Sequence, residues 1–179
     1  MLLRGINVGS ANRIAMPALR EALADAGFAK VRTYVQSGNI VLETGLDDEK
    51  LSDVVERLIA DQFGLSVPAL ARGHAELAAV VAANPYPEQA LQDPKRFQVT
   101  FLTDTLDGDT VLELQALAAE TGELVAVDGR ALYAWHPEGI QRSKLATRLT
   151  PKRLGVANVT ARNWNTVTTL LEMAAGDGD

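Results

Sequence analysis

The chain has 179 residues, 47% hydrophobic and 22% charged, with a net charge of −6 and no cysteine. A chain of that size buries roughly 70% of the surface its unfolded form exposes, enough for one domain or two small halves sharing a core. Without cysteine, disulfides, thiolate catalysis and cysteine-ligated zinc or iron–sulfur clusters are excluded, and a reducing compartment fits.

Arg4, Gly5 and Asn7 interrupt the N-terminal apolar stretch too early for a secretory signal. No run approaches the roughly 20 apolar residues of a membrane span. The expectation is a soluble, cytoplasmic protein with no membrane partner. The first strand begins almost at Met1, so either residues precede it or the strand is short.

The first strand leads through "RGINVGSANRI" to a helix over "MPALREALADAGF", where Pro17 suits the first turn, Met16, Leu19 and Leu23 recur at helical spacing, and Gly27 ends it. Two strands follow in "VRTYVQSGNIVLE", joined by a turn at Gln36–Asn39 in which Gly38 supplies a positive φ. Leu51, Val54, Val55, Leu58 and Ile59 share one face of a second helix ended by Gly64, and a strand at "SVPALA" and a helix at "HAELAAVVAA" complete the half.

"NPYPEQALQDPKR" holds three of the seven prolines and no sustained apolar period, as a connector would. The pattern then restarts. "FQVTFLT" alternates as a strand, "DTVLELQALAAETG" is an amphipathic helix ended by Gly122, and "ELVAVDGRALYAW" is a hairpin turning at Asp128–Gly129. A basic helix over about Gln141–Leu154 and a last helix carrying Trp164, Val167 and Leu171, capped by Thr160 or Asn163, are expected.

Both halves thus read as strand, helix, hairpin, helix, a split βαβ arrangement. The fold class is α+β: two related ferredoxin-like halves with antiparallel or mixed sheets. The subdomains are placed at residues 1–84 and 96–179, with 85–95 connecting them in one compact unit.

The acidic total hides a segregation of charge. Residues 1–20 carry +3 and residues 139–171 carry +6, neither holding an acid, while 21–138 carry −12 and the tail from Glu172 carries −3. Folded together, the two basic ends would give an acidic protein one basic face, the footprint of an anionic ligand. Dispersed, they would be ordinary solvated charges.

Four polar stretches coincide with or adjoin these ends. Gly5 and Gly9 bracket a loop that matches neither a Walker nor a dinucleotide fingerprint; it can expose amides to an anion beside Arg4, Asn7, Ser10 and Arg13, or simply turn a corner. "QSGN" places Gln36 and Asn39 at a hairpin tip, with Arg32, Tyr34 and Gln36 alternating onto one strand face. "GIQRSKLATR" offers Ser143 and Lys144, and "TARNWNT" offers Arg162 and Asn163 beside Trp164, which either stacks a base or anchors the core.

His74 and His136 lack the spacing of metal ligands, so no metal or cofactor is implied, and no serine elbow accompanies them.

Together, "LLRGINVG", "VRTYVQSGNIV", "GIQRSKL" and "TARNWNTV", in this order over nearly the whole chain, resemble a widespread bacterial family of unknown function, DUF1697. The resemblance implies an α+β fold of related halves and supplies no reaction. Members commonly begin several residues earlier, carry a second glycine where Ser10 stands and a base where Asn165 stands.

The leading expectation is a binding protein for an anionic ligand, a nucleotide, phosphate or nucleic acid, held by Arg4, Asn7, Ser10, Arg13, Gln36, Asn39, Ser143, Lys144, Arg162 and Asn163. The alternatives are an enzyme acting on a phosphorylated small molecule, with Ser143 or Tyr34 in support, and a ligand-free interaction module.

Overall fold

The computed structural model describes residues 1–9 and 12–175. The chain divides into two compact units, Met1–Glu76 with the chain from Leu170, and Leu77–Thr169. The division falls earlier than the proline-rich segment 85–95, which itself forms a short helix at Pro87–Gln92, and the end of the chain returns to the first unit. Among the described residues no helix is long and apolar enough to cross a membrane.

The first unit contains β1 (Leu2–Leu3), α1 (Met16–Asp25), β2 (Ala29–Tyr34), β3 (Asn39–Glu43), α2 (Asp48–Phe63) and β4 (Ala69–Leu70), and α3 (His74–Ala82) begins in it. Its four strands lie in the order β2-β3-β1-β4, antiparallel throughout. Leu19 and Leu23 of α1 and Leu51, Val55 and Ile59 of α2, at helical spacing, close the core over Leu3 and Ile40. Asp47 caps α2 by accepting from the Lys50 amide at 2.9 Å, and Gly64 ends it with φ 66°.

The second unit contains α4 (Pro87–Gln92), β5 (Phe97–Leu102), α5 (Gly108–Thr121), β6 (Leu124–Asp128), β7 (Ala131–Trp135), α6 (Pro151–Leu154) and β8 (Val159–Asn163), and α7 (Trp164–Ala174) begins in it. Its sheet order, β6-β7-β5-β8, repeats that of the first unit, again antiparallel. Two four-stranded antiparallel sheets with interspersed helices make an α+β arrangement in two similar halves, of the ferredoxin-like type.

Three local expectations are corrected. The basic stretch is not one helix: 3₁₀ turns at Ile140–Arg142 and Ala146–Arg148 precede the four-residue α6, because Pro151 removes an amide donor and bars Thr150 from helical geometry. Residues 159–163 are a strand, so only Asn163 caps α7, its Oδ1 accepting from the Thr166 amide at 3.0 Å, and the buried stripe of α7 is Val167 and Leu170. The β6–β7 turn uses Gly129 (φ 53°) and Arg130, with Asp128 still paired to Ala131; glycine at the first loop position is what a type II′ turn requires.

Candidate functional site

β1 ends after two residues, and the chain then takes Arg4–Ala15, twelve residues, to reach α1. The corresponding connection in the second unit, between β5 and α5, takes five, Thr103–Asp107. The same topology is therefore built with a short link in one half; the longer first loop places Ile6 and Ile14 in the core and leaves Gly5, Val8, Gly9 and Arg13 exposed.

The described residues of that loop, 4–9 and 12–15, are tied by hydrogen bonds to one another and to the neighbouring turn. Gly5, Asn7 and Gly9 have φ of 69°, 54° and 62°, and Asn12 one of 48°, so the loop turns through left-handed residues, and the Asn7 amide donates to Asn12 O at 3.0 Å. Asn7 holds the corner: its Oδ1 accepts from the Ile14 amide at 3.0 Å, and its Nδ2 donates to Ile14 O at 3.0 Å and to Gln36 O at 2.8 Å. Asn12 Nδ2 donates to Gly5 O and Arg13 Nη2 to Gly9 O, both at 3.3 Å. Arg4 donates its amide to Pro68 O; the residue is half-buried, and its guanidinium forms no ion pair or hydrogen bond among the described residues. Ser10 lies outside the described residues.

The turn Val35–Gly38 sits against this loop through the Asn7–Gln36 bond. Gly38 (φ 75°) lies so close to β1 that a Cβ would meet Leu3 Cβ at 2.6 Å and Ile6 Cδ1 at 2.9 Å. Asn39 is fully buried and its Nδ2 donates to Tyr34 O at 3.2 Å and Ser37 Oγ at 3.0 Å, a structural use. Val35 is held at φ 50°, which costs a β-branched residue roughly 1–2 kcal/mol, and is 53% exposed. Its left-handed turn stops the strand alternation at Tyr34, so Gln36 belongs to the tip and not to the Arg32–Tyr34 face. Arg32 reaches instead to the Met173 carbonyl.

In the second unit the polar residues are used locally. Arg162 is buried in β8 beside Val99, with Nη1 donating to Thr160 Oγ1 and Ala161 O, both at 2.8 Å; burial lowers its pKa to about 10, leaving it cationic at neutral pH. Asn163 is the α7 cap already described. Trp164 packs edge-on against Phe97, ring centres 5.4 Å apart, as a core anchor. Lys144 is exposed, whereas Ser143 is buried, its Oγ accepting from the Ala146 amide at 2.7 Å.

Ser143 belongs to a buried cluster around Glu123. Glu123 Oε1 lies 2.7 Å from His136 Nδ1, and Oε2 accepts from Thr121 Oγ1 at 2.9 Å and the Leu145 amide at 3.2 Å. Burial by itself would raise the Glu123 pKa, but hydrogen bonds from His136, Ser143, Thr121 and Leu145 outweigh it and hold the carboxyl below its ordinary value. An ionised carboxylate only accepts, so His136 Nδ1 carries the proton of their bond. His136 Nε2 is buried without a hydrogen-bond partner among the described residues. Ser143 is thus bound to the carboxylate's surroundings and is not aligned as a nucleophile against the imidazole.

Residues 1–133 match the family described as "Protein of unknown function (DUF1697)". The chain belongs to this family. The match covers the β1–α1 loop and the Val35–Gly38 turn and stops within β7, before Ser143, Lys144, Arg162 and Asn163. A solved structure with a similar fold is that of the conserved bacterial protein SP0830 from Streptococcus pneumoniae, 23% identical, covering 97% of this chain and 96% of its own, with a TM-score of 0.68. No curated protein matches the sequence significantly.

Of the expected site residues, the first unit brings together Asn7, Arg13 and the Gln36 backbone around one loop and buries Asn39 beneath the adjoining turn. Sequence reading passed over Glu123 and His136, which looked like an isolated acid and an isolated histidine. Their signal lies in the hairpin register: Leu124 pairs with Trp135, which places Glu123 opposite His136 one step beyond.

Proposed function

We propose that this protein binds an anionic, phosphate-bearing ligand, a nucleotide or nucleic acid, through the β1–α1 loop of its first unit. The observation that carries the reading is the twelve-residue, acid-free loop, longer than its five-residue counterpart, which carries Arg4 and Arg13, with no hydrogen bond or ion pair at the Arg4 guanidinium among the described residues. A guanidinium without a protein counter-ion can take a phosphate in bidentate, charge-assisted hydrogen bonds. Arg13 adds a second cation on the same loop, and the Asn7 bonds to Ile14 and Gln36 hold the described parts of the loop in place before binding. In the second unit, exposed Lys144 is available for a phosphate contact of its own. Ser143, Arg162 and Asn163 support the local fold in this reading.

The test is titration of the protein with fluorescent single-stranded RNA and DNA and with mononucleotides over a salt series. Each lost phosphate contact lowers the salt slope by about one. Arg4→Gln and Arg13→Gln should each weaken binding and flatten the slope, at unchanged melting temperature. Binding of a mononucleotide alone assigns a small-molecule site, and binding of the oligonucleotides assigns a polymer surface. Absence of binding at low salt, or an Arg4→Gln/Arg13→Gln double variant that binds like the parent, overturns the reading.

A further inference from the structure

The second unit carries a groove of about 410 Å³ between α5 and the segment around α6. That is the size of a small-molecule site, for which 300–1,000 Å³ is usual. Its floor is apolar, formed by Leu114 and Leu117 of α5 and Leu154 of α6. Its walls are charged with opposite sign: Glu113 and Glu120 stand on α5, Arg148 and Arg153 on the other side. All four are exposed, and among the described residues none of their charged groups has a hydrogen bond or an ion pair.

Opposite charges that share a groove without pairing leave a dipole across an apolar floor. A phosphate would meet the arginines but be repelled by two carboxylates, and a simple cation would meet the reverse. The complementary ligand carries both signs and an apolar body. Glu113 and Glu120 are seven residues apart on one helix face, so the acidic wall runs about 10 Å along α5.

We infer that this groove binds a short apolar peptide with both termini free, its ammonium group facing the α5 carboxylates and its carboxylate facing Arg148 and Arg153. The site is separate from the anion-binding loop, and neither proposal needs the other.

The experiment is an NMR titration of the amide-labelled protein with Ala-Leu-Ala, compared with the same peptide acetylated at its N-terminus, amidated at its C-terminus, or both. Free peptide should shift amides of α5 and of residues 146–154. Blocking either terminus should weaken binding about fivefold, the worth of one exposed ion pair at ~1 kcal/mol. Glu113→Gln/Glu120→Gln should erase the penalty for N-acetylation, and Arg148→Gln/Arg153→Gln the penalty for C-amidation. These side chains are exposed, so both variants should keep the parental spectrum elsewhere. Binding that ignores both blocking groups, shifts outside the groove, or no shift at millimolar peptide overturns the inference; so does displacement of the peptide by inorganic phosphate at constant ionic strength, which would make the groove a plain anion site.

Discussion

Replacing Glu123 tests whether the buried cluster beneath the β6–β7 hairpin is a stabilising device. Glu123→Ala removes the acceptor of the Leu145 amide, of His136 Nδ1 and of the Ser143 hydroxyl, all buried, and leaves Thr121 with its second partners, Leu117 O and Ala118 O. Three orphaned buried donors at about 1–3 kcal/mol each give a loss of at least ~3 kcal/mol, in the ~3–5 kcal/mol range for removing one partner of a buried charged pair. Glu123→Gln keeps the shape and one acceptor oxygen but turns an amide towards the Nδ1 proton, so ~1–2 kcal/mol is expected.

The sign of the pH dependence follows from the depressed carboxyl. Its folded pKa lies below the unfolded value near 4.5, so its contribution is complete above that value and is lost as pH falls through the lower, folded one. Urea unfolding at pH 7 and at steps down to pH 3 measures both effects. The parent should lose stability faster on acidification than Glu123→Gln, the two curves converging at the acid end. Parallel curves, or a Glu123→Ala loss under 1 kcal/mol at pH 7, would refute the account of a charge held by four donors.

Two further substitutions separate backbone from packing effects. Gly38→Ala combines a left-handed φ with overlap against Leu3 and Ile6 and should cost about 2–5 kcal/mol, while Gly64→Ala, at φ 66° with no atom within 4 Å of the added Cβ, should cost only about 1–2 kcal/mol; equal drops in melting temperature would show that the close approach to β1 is not tight. Asn163→Ala removes the α7 cap and should cost about 1 kcal/mol by the same assay, with Asn163→Asp close to the parent; a larger loss, or no rescue by Asp, would point to a role beyond capping.

Element type was legible wherever period and punctuation agreed. α2 and α5 carry apolar residues at helical spacing between an aspartate cap and a left-handed glycine, and both are found as read. β8 was not legible, because its alternation is broken by Arg162, a charge on a buried position whose hydrogen bonds to Thr160 and Ala161 are invisible in sequence. The basic stretch misled in the opposite way: its residues favour helix individually, and Pro151 and the Glu123 carboxylate, which takes the Leu145 amide, divide it.

The candidate sites were harder to read because each depends on a small backbone decision. Taking Asp128–Gly129 as the two loop residues would set Glu123 opposite Ala134 and leave His136 unmatched. Moving the turn one residue on, to Gly129–Arg130, brings the acid and the histidine face to face and creates the cluster. The β1–α1 loop depends on a similar choice. With β1 stopped after Leu3, Arg4 and the glycines leave the sheet; had β1 run six residues, as β5 does, Gly5 and Asn7 would be strand positions and the loop would begin only at Val8. The left-handed φ of Gly5 and Asn7 and the bond from the Arg4 amide to Pro68 O fix that exit point. The difference between two halves of the same topology therefore locates the candidate anion site more sharply than the motif's letters do.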